Sequence, residues 1–259
     1  MVPAQQIEFA LGTIGIGKPW GFANAVVPPE HQAMELLERA FALGIRYFDT
    51  APSYGTSEER LGRFLCSLAP AGRASLCIAT KFGEHWDAHT GEPFVDHSYD
   101  ALARSLDDSL KRLGRIDFLQ LHKTTPGALR SPDVVRAWQY AASCGVPSIG
   151  ASVSDLESAR IALADESFQI LQLPYNALQT TFGDVLRQAA ARGMKVAVNR
   201  PFGMGRMLYE NREISKSDAF GFILRERFEG AILSGTKSVE HLEENWKAFQ
   251  EAQERVSHR

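Results

Sequence analysis

Short apolar runs alternate with amphipathic stretches along the whole chain. An apolar run followed by a longer amphipathic stretch is typical of a buried strand followed by a helix. Such runs predict eight strands, at Phe9–Ile16, Ile45–Phe48, Leu76–Thr80, Asp117–Leu121, Pro147–Ala151, Gln169–Leu173, Lys195–Val198 and Gly230–Leu233. This regular alternation predicts parallel strands that are joined by crossover helices.

The stretches between the runs have helical spacing and recognisable ends. Ser131-Pro132 predicts a helix start, because a capping serine precedes a proline at the first helical position. Thr56-Ser57-Glu58-Glu59 predicts a capping box for the helix after the second strand. Gly114 is placed to end the helix whose apolar stripe is Leu102, Leu106, Leu110 and Leu113. The last helix carries Val239, Leu242, Trp246 and Phe249 at three- and four-residue steps.

The number of units and the chain length predict the fold. Eight strand–helix units in 259 residues predict an α/β protein with one domain, residues 1–259, folded as a closed (β/α)8 TIM barrel. The alternative is a doubly wound open sheet, which as a nucleotide binder would need a glycine-rich turn after its first strand. Gly12, Gly15 and Gly17 lack the spacing of that turn. Three longer loops, at about 82–97, 123–130 and 200–217, follow strands and would lie at the C-terminal mouth of a barrel.

Composition and charge restrict the partners. Hydrophobic residues make up 44% and charged residues 23%, as in an ordinary globular domain. The net charge of −3 indicates neither nucleic acid nor an anionic membrane surface as a partner. The three cysteines share no metal-ligand spacing, so we expect small buried side chains in a reducing cytoplasm, without a signal peptide. His85 and His89 fall in a loop between Gly83 and Gly91, so no metal site is predicted.

Four residues capable of proton chemistry follow the second, third and fourth predicted strands. Asp49 ends the run at Ile45–Phe48, Tyr54 follows five residues later, and Lys81 and His122 each close a run. Taken singly, each has a structural explanation, such as a loop cap, a core edge, a solvated cation or a satisfied histidine. Together they would meet at one mouth of a barrel, because adjacent parallel strands end there. Such a group can polarise and protonate a carbonyl.

The segments that carry these residues resemble the motifs of the aldo-keto reductase family. Residues 49–62 contain Asp-Thr-Ala-x-x-Tyr-Gly followed by Glu-Glu-x-Leu-Gly, which is similar to the first signature of that family. Ala79–Gly83 and Leu121-His122 are similar to its lysine and histidine strands. Ser234–Ser238, with His241 and Glu244-Asn245 after it, resembles its cofactor-phosphate segment. The matching segments span almost the whole chain in the order of the family.

The resemblance implies a barrel oxidoreductase that reduces aldehydes or ketones to alcohols with a nicotinamide cofactor and without a Rossmann motif. It implies that Tyr54 is the general acid, with its pKa lowered by the ammonium of Lys81. Asp49 would pair with Lys81 and keep it charged. His122 would donate a hydrogen bond to the carbonyl oxygen. The hydride would come from the cofactor.

The resemblance also assigns cofactor contacts position by position. They are Gly12, Thr13 and Ile14 after the first strand, Asp49, Ser152 and Gln172 around the nicotinamide, Asn199, Arg200, Pro201 and Phe202 after the seventh strand, and Gly235, Thr236, Lys237, His241, Glu244 and Asn245 at the phosphates and the adenine. Gly235 and Thr236 precede a helix, so their backbone N–H groups can face phosphate.

Three positions depart from the family pattern. Val153 replaces an asparagine that usually helps to hold the nicotinamide carboxamide. Asn199 stands where an aromatic residue usually stacks on the nicotinamide, and Phe202 is the alternative for that contact. His241 stands at the arginine that often grips the 2′-phosphate, so Lys237 or Arg200 would supply the positive charge. NADP is the expected cofactor, with NAD as the alternative.

The expected partner is a small-molecule carbonyl compound. Trp20 and Trp86 are candidate pocket walls beside Tyr54 and His122, with packing of surface loops as the other interpretation. Little sequence follows the last helix, which predicts an open pocket for small or varied carbonyl compounds. Two further functions are considered: a cofactor-sensing module of the same fold with little turnover, and a Schiff-base lyase that uses Lys81. The oligomeric state is not predicted.

Overall fold

Eight parallel strands close into a barrel surrounded by helices. The computed structural model describes residues 7–21, 25–207 and 214–258. In chain order the strands are β1 (Ile7–Gly12), β2 (Tyr47–Asp49), β3 (Cys77–Phe82), β4 (Glu84–Asp87), β5 (Glu92–Val95), β6 (Phe118–Leu121), β7 (Ile149–Ser152), β8 (Ile170–Pro174), β9 (Lys195–Asn199) and β10 (Gly230–Gly235). Around the barrel the order is β1-β10-β9-β8-β7-β6-β3-β2, and β4 and β5 form a separate antiparallel hairpin. The predicted (β/α)8 fold is confirmed, and the open sheet is excluded.

Helices connect successive barrel strands and cover the outside of the barrel. In chain order they are α1 (Ile14–Gly17), α2 (Glu30–Ala42), α3 (Ser57–Ser67), α4 (Pro70–Ala74), α5 (Tyr99–Leu113), α6 (Pro126–Leu129), α7 (Pro132–Ser143), α8 (Leu156–Ala164), α9 (Gly183–Ala191), α10 (Lys216–Leu224) and α11 (Val239–Ser257), with a 3₁₀ turn at Gly203–Gly205. None of the helices in the described part of the chain is both long and apolar enough to cross a membrane.

The interior of the barrel is layered, and this layering positions the polar side chains. A lower layer packs small, aliphatic and aromatic side chains, including Ala79, Ile170 and Tyr47. Side chains alternate along a strand, so the residue two positions later faces the same way. Asp49, Lys81 and Gln172 are those residues, one layer nearer the C-terminal mouth, and all three are buried.

Several helix ends have the predicted chemistry. Gly114 ends α5 in the left-handed conformation, with φ 76°, which a glycine adopts without a steric cost. The Ser131 hydroxyl at the start of α7 accepts a hydrogen bond from the backbone N–H of Asp133. These two local signals were sufficient because each depends only on residues close in sequence.

Two predicted boundaries near the N-terminus are wrong. The first strand ends at Gly12, and the following apolar residues form α1, so the range Phe9–Ile16 combined two elements. The predicted capping box at Thr56–Glu59 is also absent, because the Thr56 side chain accepts no capping hydrogen bond. The Thr56 hydroxyl instead donates to the carbonyl oxygen of Gly17 at 3.4 Å. Glu58 of the same segment is buried, and its carboxylate accepts hydrogen bonds from Thr80, Ser109 and Arg112.

The expected loop at 82–97 contains the β4–β5 hairpin, and the loop at 123–130 contains α6. His85 lies in β4, where its ring stacks on Phe94 with 5.2 Å between ring centroids. The described residues contain no group of three or more potential metal ligands. The cysteines are less buried than expected, since Cys66 is exposed and Cys77 and Cys144 are half-buried.

Candidate active site

A buried ion pair occupies the centre of the mouth. The Nζ atom of Lys81 lies 2.7 Å from Oδ1 of Asp49 and donates a second hydrogen bond, 2.9 Å long, to the carbonyl oxygen of Thr50. Lys81 is fully buried and Asp49 almost so. Burial alone lowers the pKa of Lys81, but Asp49 and Tyr54 outweigh it and raise that pKa above its usual value. Lys81 is therefore a permanently charged ammonium at neutral pH.

A chain of hydrogen bonds extends from this pair across the mouth. The amide nitrogen of Gln172 donates to Oδ2 of Asp49 at 2.9 Å, and its Oε1 atom accepts from the Ser152 hydroxyl at 2.9 Å. Both carboxylate oxygens of Asp49 are thus bonded. Because the chain joins strands β2, β3, β7 and β8, it fixes the ion pair to opposite sides of the barrel.

Tyr54 lies directly over the ion pair, in the loop between β2 and α3. The Nζ atom of Lys81 is 5.1 Å from the centroid of its ring, and the His122 ring is 6.0 Å away in an edge-on orientation. The backbone of the loop is held by Gly55, whose φ is 59° and which packs against the carbonyl group of Gly17.

The pKa of Tyr54 differs from the expectation. Burial raises it above its usual value, and the Lys81 ammonium lowers it by a smaller amount. The prediction that Lys81 lowers the pKa of Tyr54 below its usual value is therefore wrong, because the effect of burial is larger. The phenol carries its proton at neutral pH, which is the state that a proton donor requires.

His122 is held by a carboxylate that the sequence analysis did not identify. Its Nδ1 atom lies 3.0 Å from Oε2 of Glu84, and the Ser53 hydroxyl donates to the same oxygen at 2.7 Å. The other oxygen of Glu84 lies 3.3 Å from Nζ of Lys123. The backbone carbonyl of His122 is bonded to Nε2 of His97 at 2.9 Å. Both the ring and the backbone of His122 are thus fixed.

The protonation state of His122 follows from its surroundings. Burial and the positive charges of Lys81, Lys123 and Lys18 lower the pKa of His122 well below its usual value. The carboxylate of Glu84 favours a higher pKa of His122, but it is also paired with Lys123, which reduces this effect. The ring is therefore neutral at neutral pH. Since Nδ1 faces a carboxylate, it carries the proton, and Nε2 is then an acceptor. The donor role expected for His122 needs a proton on both nitrogens.

Lys18 and two tryptophans border the mouth beside Tyr54. The Nζ atom of Lys18 lies 5.8, 5.7 and 5.6 Å from the ring centroids of Trp20, Tyr54 and Trp86, respectively. Trp86 comes from the β4–β5 hairpin, whereas Lys18 follows α1. The structure thus brings the two predicted wall residues close to Tyr54, through a lysine that the sequence analysis missed.

The residues expected at the nicotinamide lie at strand ends around the same mouth. Gly12, Asp49, Ser152 and Asn199 are the last residues of β1, β2, β7 and β9. Thr13 is buried, and its hydroxyl joins the ends of the first two strands by donating to the Asp49 carbonyl oxygen at 2.9 Å. Ile14 begins α1.

The residues expected at the phosphates and the adenine lie between β10 and α11. Gly235 ends β10, and the Thr236 hydroxyl accepts a hydrogen bond from the backbone N–H of Ser238. The ammonium of Lys237 donates to the carbonyl oxygen of Val26 at 3.0 Å. On α11 itself, His241 is exposed, Glu244 pairs with Lys216 at 2.6 Å, and Asn245 is buried beside Ser234.

The segment after β9 contains an unusual backbone and a core aromatic. Arg200 is exposed and has φ 57°, and its carbonyl oxygen accepts a hydrogen bond from Asn176 at 2.8 Å. Pro201 is buried. The ring of Phe202 packs edge-on against Phe220 of α10 with 5.1 Å between centroids. Phe202 is half-buried and packs against the core, so this contact does not support the alternative in which its ring replaces the stacking aromatic.

The residues present fit a nicotinamide dinucleotide. Gly12 and Gly235 face each other in register at the ends of adjacent strands, and a side chain at either position would occupy the mouth. The Oδ1 atoms of Asn199 and Asn245 are buried without a hydrogen-bond partner in the described part of the chain. An unpaired buried acceptor is costly, and the amino groups of a nicotinamide and an adenine are suitable donors. Val153 offers no such acceptor, because it is an apolar core residue.

Comparisons with known proteins agree with this architecture. The model of the Aldo/keto reductase family matches residues 8–253. Aldo-keto reductase str7 of Strobilurus tenacellus is 28% identical over 206 residues, which are 76% of this chain and 59% of that protein. Aldo-keto reductase yakc [NADP(+)] of Schizosaccharomyces pombe is 26% identical over 68% of this chain and 54% of its own length. This chain thus spans less than two thirds of the length of these curated relatives.

Solved structures share the whole fold. A chain from Pseudomonas aeruginosa, described as a candidate aldo-keto reductase, superimposes with a TM-score of 0.80 and 27% identity, covering 95% of this chain and 90% of that one. The holo form of an aldo-keto reductase from Bacillus halodurans gives a TM-score of 0.77 at 20% identity, over 95% and 91% of the two chains, and so supports the fold. The match of the family model over most of the sequence shows that the chain belongs to the aldo/keto reductase family.

Proposed function

We propose that this protein reduces an aldehyde or ketone to an alcohol and that Tyr54 donates the proton. The observation that carries the proposal is the position of the Tyr54 ring, whose centroid lies 5.1 Å from Nζ of the buried Lys81 that pairs with Asp49. When bound, a nicotinamide cofactor supplies the hydride. As the proton leaves Tyr54, the Lys81 ammonium stabilises the phenolate, and Asp49 keeps that ammonium charged and in place.

The substrate orientation depends on His122. Its ring lies beside Tyr54, so a carbonyl oxygen that reaches the phenol also reaches the imidazole. As a neutral acceptor, Nε2 can bind the hydroxyl group of the alcohol product. As an imidazolium, it can donate to the carbonyl oxygen, and the carboxylate of Glu84 favours that state. Glu84 acts through His122 and is therefore a positioning residue.

The Schiff-base alternative lacks support from the site. A lysine nucleophile must lose its proton, and the pKa of Lys81 is raised. Its ammonium is also committed to Asp49 and to the Thr50 carbonyl group.

The direct test measures oxidation of NADPH and NADH by a panel of aldehydes, ketones and quinones. Fluorescence titration of the same protein with both nucleotides measures cofactor affinity separately. Tight nucleotide binding without turnover on any compound would contradict the reductase proposal and favour a sensing role. The name of one relative, aldo-keto reductase yakc [NADP(+)], gives NADP as the cofactor of that relative, and we propose the same preference here.

Replacing Lys237 or Arg200 with Ala should weaken NADPH binding more than NADH binding. Both side chains are exposed near the segment expected to hold the 2′-phosphate, and one charge-assisted contact to it corresponds to roughly 10-fold in Kd. Titration of each variant with both nucleotides measures the difference. Lys247→Ala, an exposed lysine on α11, is the control and should change neither Kd. Equal weakening of the two nucleotides would mean that neither side chain reads the 2′-phosphate.

Replacing Glu84 with Gln should shift the pH profile of carbonyl reduction to lower pH. The carboxylate favours the protonated imidazole, so its loss lowers the pKa of His122, and the donor form disappears at a lower pH. The measurement is kcat/KM against pH for the wild type and the variant. Glu92→Gln, which removes an exposed carboxylate from the same hairpin, is the control. An unchanged profile in the Glu84 variant would remove Glu84 from the mechanism.

A further inference from the structure

Lys18 is a cation at the mouth that has aromatic neighbours and, in the part of the chain that the structure describes, no acidic partner within ion-pair distance. It is half-buried, and three ring centroids lie 5.6–5.8 Å from its Nζ atom. Cations attract the faces of aromatic rings, but each such contact is modest beside the cost of removing a charge from water. Burial accordingly lowers the pKa of Lys18, although Glu84 and Glu92 oppose this effect.

The carboxylates of Glu84 and Asp49 form ion pairs with residues other than Lys18. Glu84 bonds His122 and Lys123, at 3.0 and 3.3 Å. Asp49 bonds Lys81 at 2.7 Å. Within the described ranges, neither Glu84 nor Glu92 comes within the 4.0 Å of an ion pair with Lys18.

Lys18 thus adds a positive charge that no ion pair neutralises among the described residues, and Glu92 acts on it only from beyond ion-pair distance. The Lys81–Asp49 and Lys123–Glu84 pairs are each neutral, and Lys18 contributes one further positive charge. The positive charges of Lys81, Lys123 and Lys18 all lower the pKa of His122. Their electrostatic potential therefore extends to the place beside His122 where a carbonyl oxygen would lie. A mouth with an excess positive charge favours an anionic ligand.

We propose that Lys18 binds an anionic group, a carboxylate or a phosphate, of the carbonyl substrate. The inference rests on the proposed function, because Tyr54 marks the position of the reacting carbonyl. The Nζ atom of Lys18 lies 5.7 Å from the centre of the Tyr54 ring, so one small molecule can reach both groups. The rings of Trp20 and Trp86 lie 5.8 and 5.6 Å from the ammonium, and the half-burial of Lys18 lowers the local dielectric constant, which strengthens its attraction for an anion.

The kinetic test compares matched pairs of substrates. One pair is 4-oxobutanoate and butanal, and the other is glyceraldehyde 3-phosphate and glyceraldehyde. We expect kcat/KM to be roughly 10-fold higher for the anionic member of at least one pair, as for one charge-assisted contact. The pair that shows the larger ratio identifies the anion as carboxylate or phosphate.

Three variants test the assignment to Lys18. Lys18→Met should abolish the preference for the anion, measured as the ratio of kcat/KM between the two members of each pair at one pH, because a change in His122 affects both members alike. Lys18→Arg should retain most of the preference. Lys195→Met is the matched control, because Lys195 also lies over an aromatic ring, Phe118 at 5.7 Å, but at the other end of the barrel and paired with Glu229. A preference that survives Lys18→Met, or no preference in the wild type, would overturn the proposal.

A binding measurement separates this proposal from the proposed function. Trp20 and Trp86 flank Lys18, so intrinsic fluorescence should report the titration of the full chain with butanoate or inorganic phosphate. We expect saturation with at least one anion, no response to butanamide, and loss of the response in Lys18→Met. If no carbonyl compound is reduced, the reductase proposal fails, and this titration still decides whether Lys18 forms an anion site. Equal responses to butanoate and butanamide would refute the site.

Discussion

Tyr54→Phe should lower kcat by about 10²–10⁴-fold, because it removes the proton donor and leaves the ring in place. The affinity for the nicotinamide nucleotide should be nearly unchanged, since the phenol is assigned to proton transfer. Steady-state kinetics with the best carbonyl substrate and nucleotide titration measure the two effects separately.

Tyr47→Phe is the control for this substitution. Tyr47 lies in the lower layer of the barrel interior, and its hydroxyl is buried without a hydrogen-bond partner in the described residues. Removing that hydroxyl should leave kcat unchanged and should not reduce stability, because no hydrogen bond is lost. A Tyr54→Phe variant with full activity would contradict the assigned role, whatever the control shows.

Lys81→Met should cost about 3–5 kcal/mol in the free energy of unfolding and should abolish reduction. The fully buried ammonium neutralises Asp49, which would otherwise remain as an unpaired buried carboxylate. Chemical denaturation with fixed cofactor concentration measures the change in stability.

The double variant Lys81→Met with Asp49→Leu separates stability from chemistry. It removes both charges, so part of the stability should return, whereas the activity should not. Lys111→Met is the surface control, because Lys111 pairs with Asp108 in an exposed position where an ion pair contributes little. Equal stability losses in the two single variants would show that the buried pair has no special role.

The sequence was sufficient for the fold and for the centre of the site. Each barrel strand was found as an apolar run, and the chemistry of the central site residues lies at or just after strand ends. The sequence alone therefore predicts that Asp49, Lys81 and His122 lie close together, because parallel strands end at one mouth. The absence of the predicted capping box at Thr56–Glu59 has a tertiary cause: the Thr56 hydroxyl donates to the carbonyl oxygen of Gly17 at 3.4 Å, and Gly17 is distant in sequence.

The sequence was insufficient for the residues that surround the centre. Glu84 lies in a stretch that was predicted as a loop, and the β4–β5 hairpin turns its carboxylate toward His122. Lys18 belongs to no recognisable sequence motif, and its contacts with Tyr54 and Trp86 depend on the folded arrangement of distant segments. The pKa of Tyr54 is raised mainly by burial, and the extent of burial cannot be deduced from the presence of Tyr54 and Lys81 in the sequence.

The packing of Gly17 against Gly55 has a consequence for substrate length. A Cβ atom at Gly17 would lie 1.9 Å from the Tyr54 carbonyl oxygen, and the Gly17 carbonyl accepts a hydrogen bond from the Thr56 backbone N–H. The main chains that carry Lys18 and Tyr54 are therefore locked together. Backbone contact thus fixes where the Lys18 and Tyr54 side chains begin, whereas the flexible side chain of Lys18 sets how far its ammonium reaches. Under the role proposed for Lys18, oxo acids of several chain lengths could therefore span the two groups.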